Sequence, residues 1–242
     1  MDNPLVIVTG ASRGIGAAIA QHLAEAGFTV ACLSRSGALP TAPPELADRL
    51  IPYAVDVTNE TAMRAVIEGA ASGRPLAGIV NNAGQHTEAP SAELSIADWN
   101  AQIAINATAV LIGCQAAFPH LKAAGGLIVN IGSFFDKIGV KRNLAYCASK
   151  AAVGAITRVL AVEWARHAIA VLDVAPGYIV TDLNRDTVLE GPLRAYLEKR
   201  IPGGEPGTAD DVGRLVASLY ALNLSFLSGE TIYIDGAQGV AH

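Results

Sequence analysis

Tyr146, Lys150 and Ser133 have side chains suited to proton transfer and to holding a substrate oxygen. Tyr146 and Lys150 are four residues apart at the start of a predicted helix, so both lie on one face of it. A free tyrosine has a pKa of about 10 and is a poor acid–base group at neutral pH. A nearby ammonium favours the phenolate and lowers this pKa, as proton transfer to a developing alkoxide requires. Ser133 directly follows a predicted strand, where its hydroxyl can hydrogen-bond a substrate oxygen.

Each of these residues also has an ordinary structural interpretation. A lysine four residues from a tyrosine commonly lies over the aromatic ring on a helix surface. A serine after a strand is commonly a turn residue or a helix cap. Their significance therefore depends on the segments that surround and position them.

A glycine-rich segment lies between the first predicted strand and the first predicted helix. Thr9 to Gly16 reads Thr-Gly-Ala-Ser-Arg-Gly-Ile-Gly, a Gly-x3-Gly-x-Gly spacing rather than the commoner Gly-x-Gly-x-x-Gly. Glycines there allow a tight turn and close approach to a pyrophosphate, and the helix N-terminus offers unpaired N–H groups. The alternative is an ordinary strand-to-helix turn. The contacts predicted from this loop are Gly10, Ser12, Arg13, Gly14, Ile15 and Gly16.

The second predicted strand ends in an arginine and lacks an acid. Its end reads Leu33-Ser34-Arg35-Ser36, and no Asp or Glu occurs between there and Glu45. In dinucleotide-binding folds an acid at this place holds the adenosine ribose, whereas an arginine accommodates a 2′-phosphate. Ser34, Arg35 and Arg13 therefore predict NADP(H) as the cofactor. NAD(H) is the alternative if both arginines are only solvated surface residues.

Strand-like and helix-like segments alternate along the chain. Short apolar runs predict strands at 5–8, 29–33, 51–55, 76–80, 127–131, 169–174 and 231–234. Helices fill the gaps, with capping boxes predicted at Ser95-x-x-Asp98 and Thr208-x-x-Asp211. This alternation predicts an α/β fold, a doubly wound, Rossmann-like parallel sheet in three α/β/α layers that forms a single domain over 1–242. Ligands bind at the carboxyl ends of such strands, just past which lie Thr9, Arg35, Asp56, Asn82, Ser133 and Gly177.

Composition and charge argue against several classes of protein. The net charge of −5 and the lack of a Lys/Arg cluster disfavour nucleic-acid binding. The three cysteines are widely spaced, so we expect no disulfide framework, no metal site and a reduced, cytoplasmic setting. We expect no signal peptide, because residues 1–4 carry an acid where a base is usual. The longest apolar stretch, 103–118, contains Asn106 and Gln115, so we expect no membrane span there.

Together these residues resemble the short-chain dehydrogenase/reductase family in its shorter, single-domain form. The similarity covers essentially the whole chain. It is carried by 9–16, Asp56-Val57, Asn81-Asn82-Ala83-Gly84, Asn106, Ser133, Tyr146-x3-Lys150 and Pro176-Gly177-x3-Thr181. The resemblance implies hydride transfer between a nicotinamide cofactor and a small-molecule carbonyl or alcohol. It also implies a homotetramer, with the helices around 99–121 and 146–167 as interface; a dimer is the alternative.

The resemblance implies a role for each matching residue. Tyr146 is the implied acid–base, Lys150 lowers its pKa and binds the nicotinamide ribose, and Ser133 orients the carbonyl. Asn106 is the implied holder of a water in a proton relay from Lys150. The other implied cofactor contacts are Asp56 and Val57 at the adenine, Asn82, Ala83 and Gly84 beside the adenosine ribose, and Ile179 and Thr181, after Pro176 and Gly177, at the nicotinamide carboxamide.

Several positions depart from the family pattern or stay open. Gly132 stands where many relatives have a second serine before Ser133. Phe134 and Phe135 either line the substrate pocket or belong to the core. Asp136 either binds a polar substrate group or pairs with Lys137 or Arg142, and His86 either faces the pocket or is a loop residue. A substrate lid is predicted at about 183–204, with an apolar inner face of Val188, Leu189, Leu193, Tyr196 and Leu197.

These features favour an NADPH-dependent reductase of a small to medium ketone. The alternatives are a dehydrogenase that oxidises a small diol, sugar or cyclic alcohol, and a 3-oxoacyl reductase that docks an acidic carrier beside Lys137, Lys141 and Arg142. A catalytically silent NADP(H)-binding regulator is less favoured, because its acid–base residues would be expected to be lost.

Overall fold

The computed structural model describes residues 3–182, 184–222, 224 and 226–241, with the side chain of Thr187 left out. The strands are β1 Leu5–Thr9, β2 Thr29–Ser34, β3 Leu50–Ala54, β4 Leu76–Asn81, β5 Gly126–Ile131, β6 Ile169–Pro176, β7 Ile179–Val180, β8 Gly207–Thr208 and β9 Thr231–Ile234. The helices are α1 Gly14–Glu25, α2 Glu60–Ala71, α3 Ile96–Ile103, α4 Ala109–Leu121, α5 Leu144–Trp164, α6 Arg185–Leu189, α7 Gly191–Arg200 and α8 Ala209–Ala221.

Seven parallel strands form one sheet in the order β3-β2-β1-β4-β5-β6-β9. All of them were expected from the apolar runs, and their ends differ from the expectation by at most two residues, the largest difference being β6, which continues to Pro176. The order reverses between β1 and β4, which is the switch point of a doubly wound sheet. The predicted α/β fold is therefore confirmed.

Helices cover both faces of the sheet because successive strand side chains point to opposite sides. On one face, α2, α4 and α5 pack against side chains such as Ile7, Ile79 and Ile128. On the other, α1 and α8 pack against Val6, Val8 and Val129. Both faces are buried, which is why the strands read as continuous apolar runs rather than as alternating ones.

The lid region folds as two short helices with a small core of its own. Val188, Leu197 and Ile201 are buried there, and Leu193 is partly buried against them. Leu189 and Tyr196, which were predicted to share the inner face of the lid, are not part of this small core and are 39% and 49% exposed. Leu189 instead lines a cavity that it shares with Arg13 and Gly14 of the glycine loop. The first residue of the predicted lid, Leu183, lies outside the described residues.

Two helical segments, Ile96–Leu121 and Leu144–His167, are long and apolar enough to cross a membrane by length and composition alone. Their most apolar windows are 56% and 44% buried within the protein. Here they contribute α4 and α5 to the layer that covers the sheet. Core helices of doubly wound domains commonly have this composition, because one side of each packs on the sheet.

The two predicted helix caps form to different extents. At α8, Thr208 and Asp211 make the full reciprocal capping box. At α3, Ser95 accepts from the backbone N–H of Asp98, but the Asp98 carboxylate accepts from the Ser95 hydroxyl instead of the Ser95 backbone. The box at Ser95 is therefore only half formed.

Candidate active site

A hydrogen-bonded tie joins the carboxyl ends of β1 and β4 at the switch point. The side chain of Asn82 donates to the carbonyl oxygens of Thr9 at 2.9 Å and Gly10 at 3.4 Å. Thr9 Oγ1 accepts from the backbone N–H groups of Asn82 and Ala83, both at 3.0 Å. These bonds hold the glycine loop against the end of β4.

The glycine loop has the backbone geometry that a phosphate site needs. Gly10 and Gly14 have positive φ angles of 67° and 58°, which side chains other than glycine rarely adopt. A Cβ on Gly16 would lie 2.3 Å from the carbonyl oxygen of Gly10, so only glycine allows this close packing. Among the described residues no side chain caps the amino end of α1, which leaves its N–H groups available to an anion.

A groove of about 290 Å³ runs from this loop across the neighbouring strand ends. Its predicted contacts are Gly10, Ser12, Arg13, Gly14, Ile15, Gly16, Ser34, Arg35, Asp56, Val57, Asn82, Ala83, Gly84 and Thr181. Val55 and Ile105 complete its wall, and the sequence pattern did not single them out. The glycine cradle, the uncapped helix end and the strand-end residues along the groove fit a dinucleotide.

Two exposed arginines stand at the edge of the groove, near an ordered carboxylate. The side chains of Arg13 and Arg35 are both exposed. The carboxylate of Asp56 accepts from the backbone N–H of Thr58 at 2.9 Å and from its hydroxyl at 2.7 Å. These hydrogen bonds, and to a lesser extent Arg35, hold the pKa of Asp56 below its usual value. Asp56 is thus a fixed anion, and the arginine beside it can still turn towards a ligand.

A second cavity, of about 240 Å³, adjoins the groove and shares Ile15, Asn82 and Gly84 with it. Its wall brings together the predicted residues Ser133, Tyr146, Lys150, Pro176 and Gly177. Gln85, His86, Ile131 and Gly132 line it as well. The chemically active side chains and the dinucleotide groove therefore form one continuous site at the carboxyl ends of the strands.

Lys150 is buried one helical turn below Tyr146. Its Nζ donates to the carbonyl oxygen of Ile131 at 2.8 Å and lies 5.7 Å from the centroid of the Tyr146 ring. Burial lowers the pKa of Lys150 to about 8, and the charge of Asp173 opposes that effect. The ammonium is therefore directed towards the sheet, on the side where the cofactor groove ends.

The pKa of Tyr146 does not fall as the sequence predicted. Burial raises it, and a weaker interaction with the Ser133 hydroxyl acts in the opposite direction. The ring is enclosed by His86, whose centroid is 4.6 Å away, and by Phe135 at 5.8 Å. Desolvation by these neighbours disfavours the phenolate. Within this structure, Tyr146 is therefore set to donate a proton rather than to accept one.

Asn106 lies in a π-helical turn, Ala104–Thr108, between α3 and α4. Its Oδ1 accepts from the backbone N–H of Gln85 at 2.9 Å, and its Nδ2 donates to Gln85 O at 2.9 Å and to Ser149 Oγ at 3.1 Å. π-turns inside helices are frequent at functional sites. Asn106 holds the loop after β4 from behind, and it does not line either cavity.

Ile179 is also absent from both cavities. Its side chain is buried in the sheet core, and its carbonyl oxygen accepts from Asn184 Nδ2 at 2.9 Å. Thr181 does line the groove, and Asn184 Oδ1 accepts from its backbone N–H at 2.7 Å. Ile179 can thus offer only backbone groups to a ligand, and Asn184, which sequence reasoning missed, fixes the segment.

The open positions around Ser133 now have definite surroundings. Phe134 and Phe135 are buried, and their rings pack on each other with centroids 4.9 Å apart, which favours the core interpretation. His86 lines the substrate-side cavity and hydrogen-bonds Asn143, which favours the pocket interpretation. Asp136 was expected to bind substrate or to pair with Lys137 or Arg142. Instead it accepts from the hydroxyl of Tyr233, at 2.9 and 3.1 Å.

Comparison with known proteins identifies the family. Residues 4–190 match the family model described as short chain dehydrogenase. The chain belongs to the short-chain dehydrogenase/reductase family. Members of this family use NAD or NADP, and this short-chain dehydrogenase/reductase is an oxidoreductase that acts on alcohols or ketones.

Relatives of this short-chain dehydrogenase/reductase act on varied alcohols. It is 34% identical to 3beta-hydroxysteroid dehydrogenase 1 of Eggerthella lenta, over 96% of this chain and 92% of that protein. It is also 34% identical to D-threitol dehydrogenase of Mycolicibacterium smegmatis, over 98% and 93% of the two chains. A gluconate 5-dehydrogenase from Burkholderia cenocepacia, solved in complex with NADP and tartrate, superposes with a TM-score of 0.89 at 30% identity, covering 100% and 97% of the two chains.

Proposed function

We propose that this protein is an NADP(H)-dependent carbonyl reductase that converts a small to medium ketone into a secondary alcohol. The observation that carries the proposal is the convergence of Ser133, Tyr146 and Lys150 on one small cavity that opens into the dinucleotide groove. The cavity of about 240 Å³ suits a small substrate.

The bound nicotinamide supplies or accepts the hydride, and the protein controls the proton. Ser133 donates a hydrogen bond to the substrate oxygen and stabilises the charge that develops on it. Tyr146 donates its hydroxyl proton to that oxygen in reduction and takes it back in oxidation. Lys150 holds a positive charge beside Tyr146 and binds the nicotinamide ribose, and Asn106 keeps a water in the path that returns a proton to Lys150.

The preference for NADP(H) rests on Arg13 and Arg35. Both are exposed at the edge of the groove, and no acid stands at the end of β2 to hold a free ribose hydroxyl and repel a phosphate. The relative solved with NADP supports the same assignment.

The second candidate is a dehydrogenase that oxidises a small diol, sugar or cyclic alcohol. The relatives favour it, because they include D-threitol, gluconate and cis-4-hydroxycyclohexanecarboxylate dehydrogenases. The same residues serve both directions, since Tyr146 donates a proton in reduction and takes one back in oxidation.

A substrate panel tests the proposal in both directions. Ketones, ketoacids, sugars and acyl thioesters are assayed by NADPH consumption, and diols, sugars and cyclic alcohols by NADPH formation from NADP. We expect turnover of ketones with NADPH, with a lower catalytic efficiency with NADH. Turnover of alcohols alone favours the second candidate, and a clear preference for NADH contradicts the cofactor assignment.

We also propose a cytoplasmic homotetramer built through the outer faces of α3 and α5. Large apolar side chains are exposed there, namely Ile96, Leu144, Val159 and Val162. A second copy of the same face is the proposed partner, and because an isologous contact closes as a dimer, the tetramer needs a second, different contact as well. The three free cysteines suit a reduced compartment.

A further inference from the structure

Asp173 is a buried carboxylate in the middle of β6. It is 0% exposed, and its strand neighbours Leu172 and Val174 belong to the apolar core. One carboxylate oxygen, Oδ2, accepts from Thr231 Oγ1 of β9 at 3.2 Å. Among the described residues the other oxygen, Oδ1, has no hydrogen-bond partner. A buried carboxylate in this state is costly unless a cation compensates it.

Lys150 is a buried cation whose charge favours the ionised form of this carboxylate. Asp173 is aligned with Asn130 of β5, and the next residue along β5, Ile131, accepts the hydrogen bond from Lys150 Nζ. The lysine therefore reaches the sheet beside the strand position of the carboxylate. Each of the two charges favours the ionised form of the other. Tyr146 lies above Lys150, so the order from substrate to core is Tyr146, Lys150, Asp173.

The carboxylate also accounts for Gly132. A Cβ at position 132 would lie 2.4 Å from Asp173 Oδ1 and 2.8 Å from Oδ2. A serine before Ser133, as many relatives have, would collide with the carboxylate. Glycine at position 132 therefore leaves the space that the carboxylate of Asp173 occupies behind the cavity.

Three other charged side chains lie in the surroundings of Asp173, namely Asp136, Lys137 and Arg158. Asp136, on the turn after β5, is a further anion whose charge acts against ionisation of Asp173, and its carboxylate is engaged by Tyr233 of β9. Lys137 lies over the Tyr233 ring, 3.4 Å from its centroid. Arg158 of α5 also approaches the carboxylate, since a Cβ on Gly154 would lie 3.3 Å from Arg158 Nη1 and 3.8 Å from Asp173 Oδ2.

We propose that Asp173 is a positioning residue that acts through Lys150, keeping the lysine ammonium charged and directed towards the sheet behind Tyr146. This inference rests on the proposed function, because it assigns Lys150 a role beside the acid–base tyrosine. Burial raises the pKa of Asp173 to about 6 and lowers that of Lys150 to about 8. Between these values both groups are charged, which defines the pH range in which the pair operates.

The test measures the titration of Lys150 directly in the isolated full-length protein. The chain contains five lysines, so ¹³Cε-lysine labelling yields a simple NMR spectrum in which Lys150→Met identifies the signal. In Asp173→Asn we expect the titration midpoint of Lys150 to fall by at least about one pH unit. The pH at which kcat/KM for reduction declines on the alkaline side should fall by a similar amount. An unchanged midpoint in folded Asp173→Asn overturns the proposal, and Asp48→Asn, an exposed aspartate, is the matched control.

A second variant decides the question if Asp173→Asn does not fold. Thr231→Val removes the hydrogen bond to Oδ2 and keeps both charges. Protonation of Asp173 should shift the Lys150 signal in a separate step at acidic pH. Because the bond from Thr231 favours the carboxylate, its loss should move this acidic step to higher pH. The titration midpoint of Lys150 itself should change little. A Lys150 signal that shows no acidic step in either the wild type or Thr231→Val overturns the proposal, because Lys150 then does not sense the charge of Asp173. The titration is measured without substrate. Its result is therefore valid even if the substrate panel shows no turnover and the proposed function fails.

Discussion

Burial acts in opposite directions on the two titrating residues at the centre of the site. It raises the pKa of Tyr146, so the neutral, proton-donating form is favoured. It lowers the pKa of Lys150 to about 8, so the ammonium is lost in mildly alkaline solution. Reduction needs a protonated tyrosine beside a charged lysine, and oxidation needs the phenolate of that tyrosine beside the same positive charge.

The rate of reduction should therefore depend on pH on the alkaline side. We expect kcat/KM for ketone reduction to be flat near neutrality and to fall as the pH rises through about 8, where Lys150 loses its charge. Initial rates with NADPH in overlapping buffers measure this. A rate that increases steadily from neutral to alkaline pH contradicts the assignment of Lys150.

Arg13 and Arg35 should determine the choice of cofactor. A charged hydrogen bond contributes about 1.5–3 kcal/mol, so each of Arg13→Ser and Arg35→Ser should raise the KM for NADPH by roughly tenfold to a hundredfold. The KM for NADH should change little, because NADH lacks the 2′-phosphate. Arg74→Ser, at an exposed position outside the groove, is the control. Equal increases in the KM for NADPH and for NADH would show that the arginines do not bind the 2′-phosphate.

At the residue scale, sequence spacing predicted side-chain positions correctly within one helix. It did not predict contacts between residues from different segments. The four-residue spacing placed Tyr146 and Lys150 on one helix face correctly. The net rise in the Tyr146 pKa was missed because it comes from His86 and Phe135, which approach from other segments. The partner of Asp136 was missed for the same reason, since Tyr233 lies on the last strand, 97 residues away.

At the element scale, the tie between β1 and β4 should be worth measurable stability. Thr9→Val keeps the shape of the side chain and removes the oxygen that accepts from Asn82 N and Ala83 N. Leaving buried donors unpaired costs about 1–3 kcal/mol each, so we expect the free energy of unfolding to fall by about 2 kcal/mol or more. The Kd for NADPH should rise, because the glycine loop loses its anchor.

Urea denaturation and NADPH fluorescence measure the two effects. Thr61→Val, an exposed position on α2, is the matched control and should leave both unchanged. Wild-type stability and affinity in Thr9→Val would mean that the tie does not hold the loop.

The sequence predicted the strands more accurately than it predicted the π-turn and the short helices of the lid. Buried strands were predicted well, since a short, continuous apolar run is typical of a strand that is covered on both faces. The π-turn at 104–108 was missed, because its sequence Ala-Ile-Asn-Ala-Thr reads as ordinary helix and only the Asn106 contacts distinguish it. The small core of the lid was not foreseen, since it is made by Val188, Leu197 and Ile201 and leaves out Leu189 and Tyr196.

At the scale of the whole molecule, assembly should depend on the face formed by α3 and α5. Val162 is 80% exposed on α5, so Val162→Glu places a charge in the proposed contact between copies. We expect a loss of tetramer, measured by light scattering or sedimentation, with each subunit still folded. Leu39→Glu, at a 41% exposed position outside this face, should leave the mass unchanged. A tetramer that survives Val162→Glu contradicts this interface.

The overall topology was the most predictable property, since alternation of strands and helices restricts the fold to few arrangements. The position of the site followed from it, because every strand-end residue of a parallel sheet reaches the same edge. The substrate did not follow, since the cavity is completed by Gln85 and His86, which lie on the loop after β4.

The central claim is that Tyr146 is the acid–base of an NADP(H)-dependent reductase, and one variant tests it most directly. Tyr146→Phe keeps the ring packing and removes the hydroxyl, and Tyr53→Phe, on the remote strand β3, is its control. For Tyr146→Phe we expect nearly unchanged NADPH binding, and ketone turnover reduced by about 10²–10⁴-fold. Full turnover in Tyr146→Phe with NADPH bound would contradict the claim.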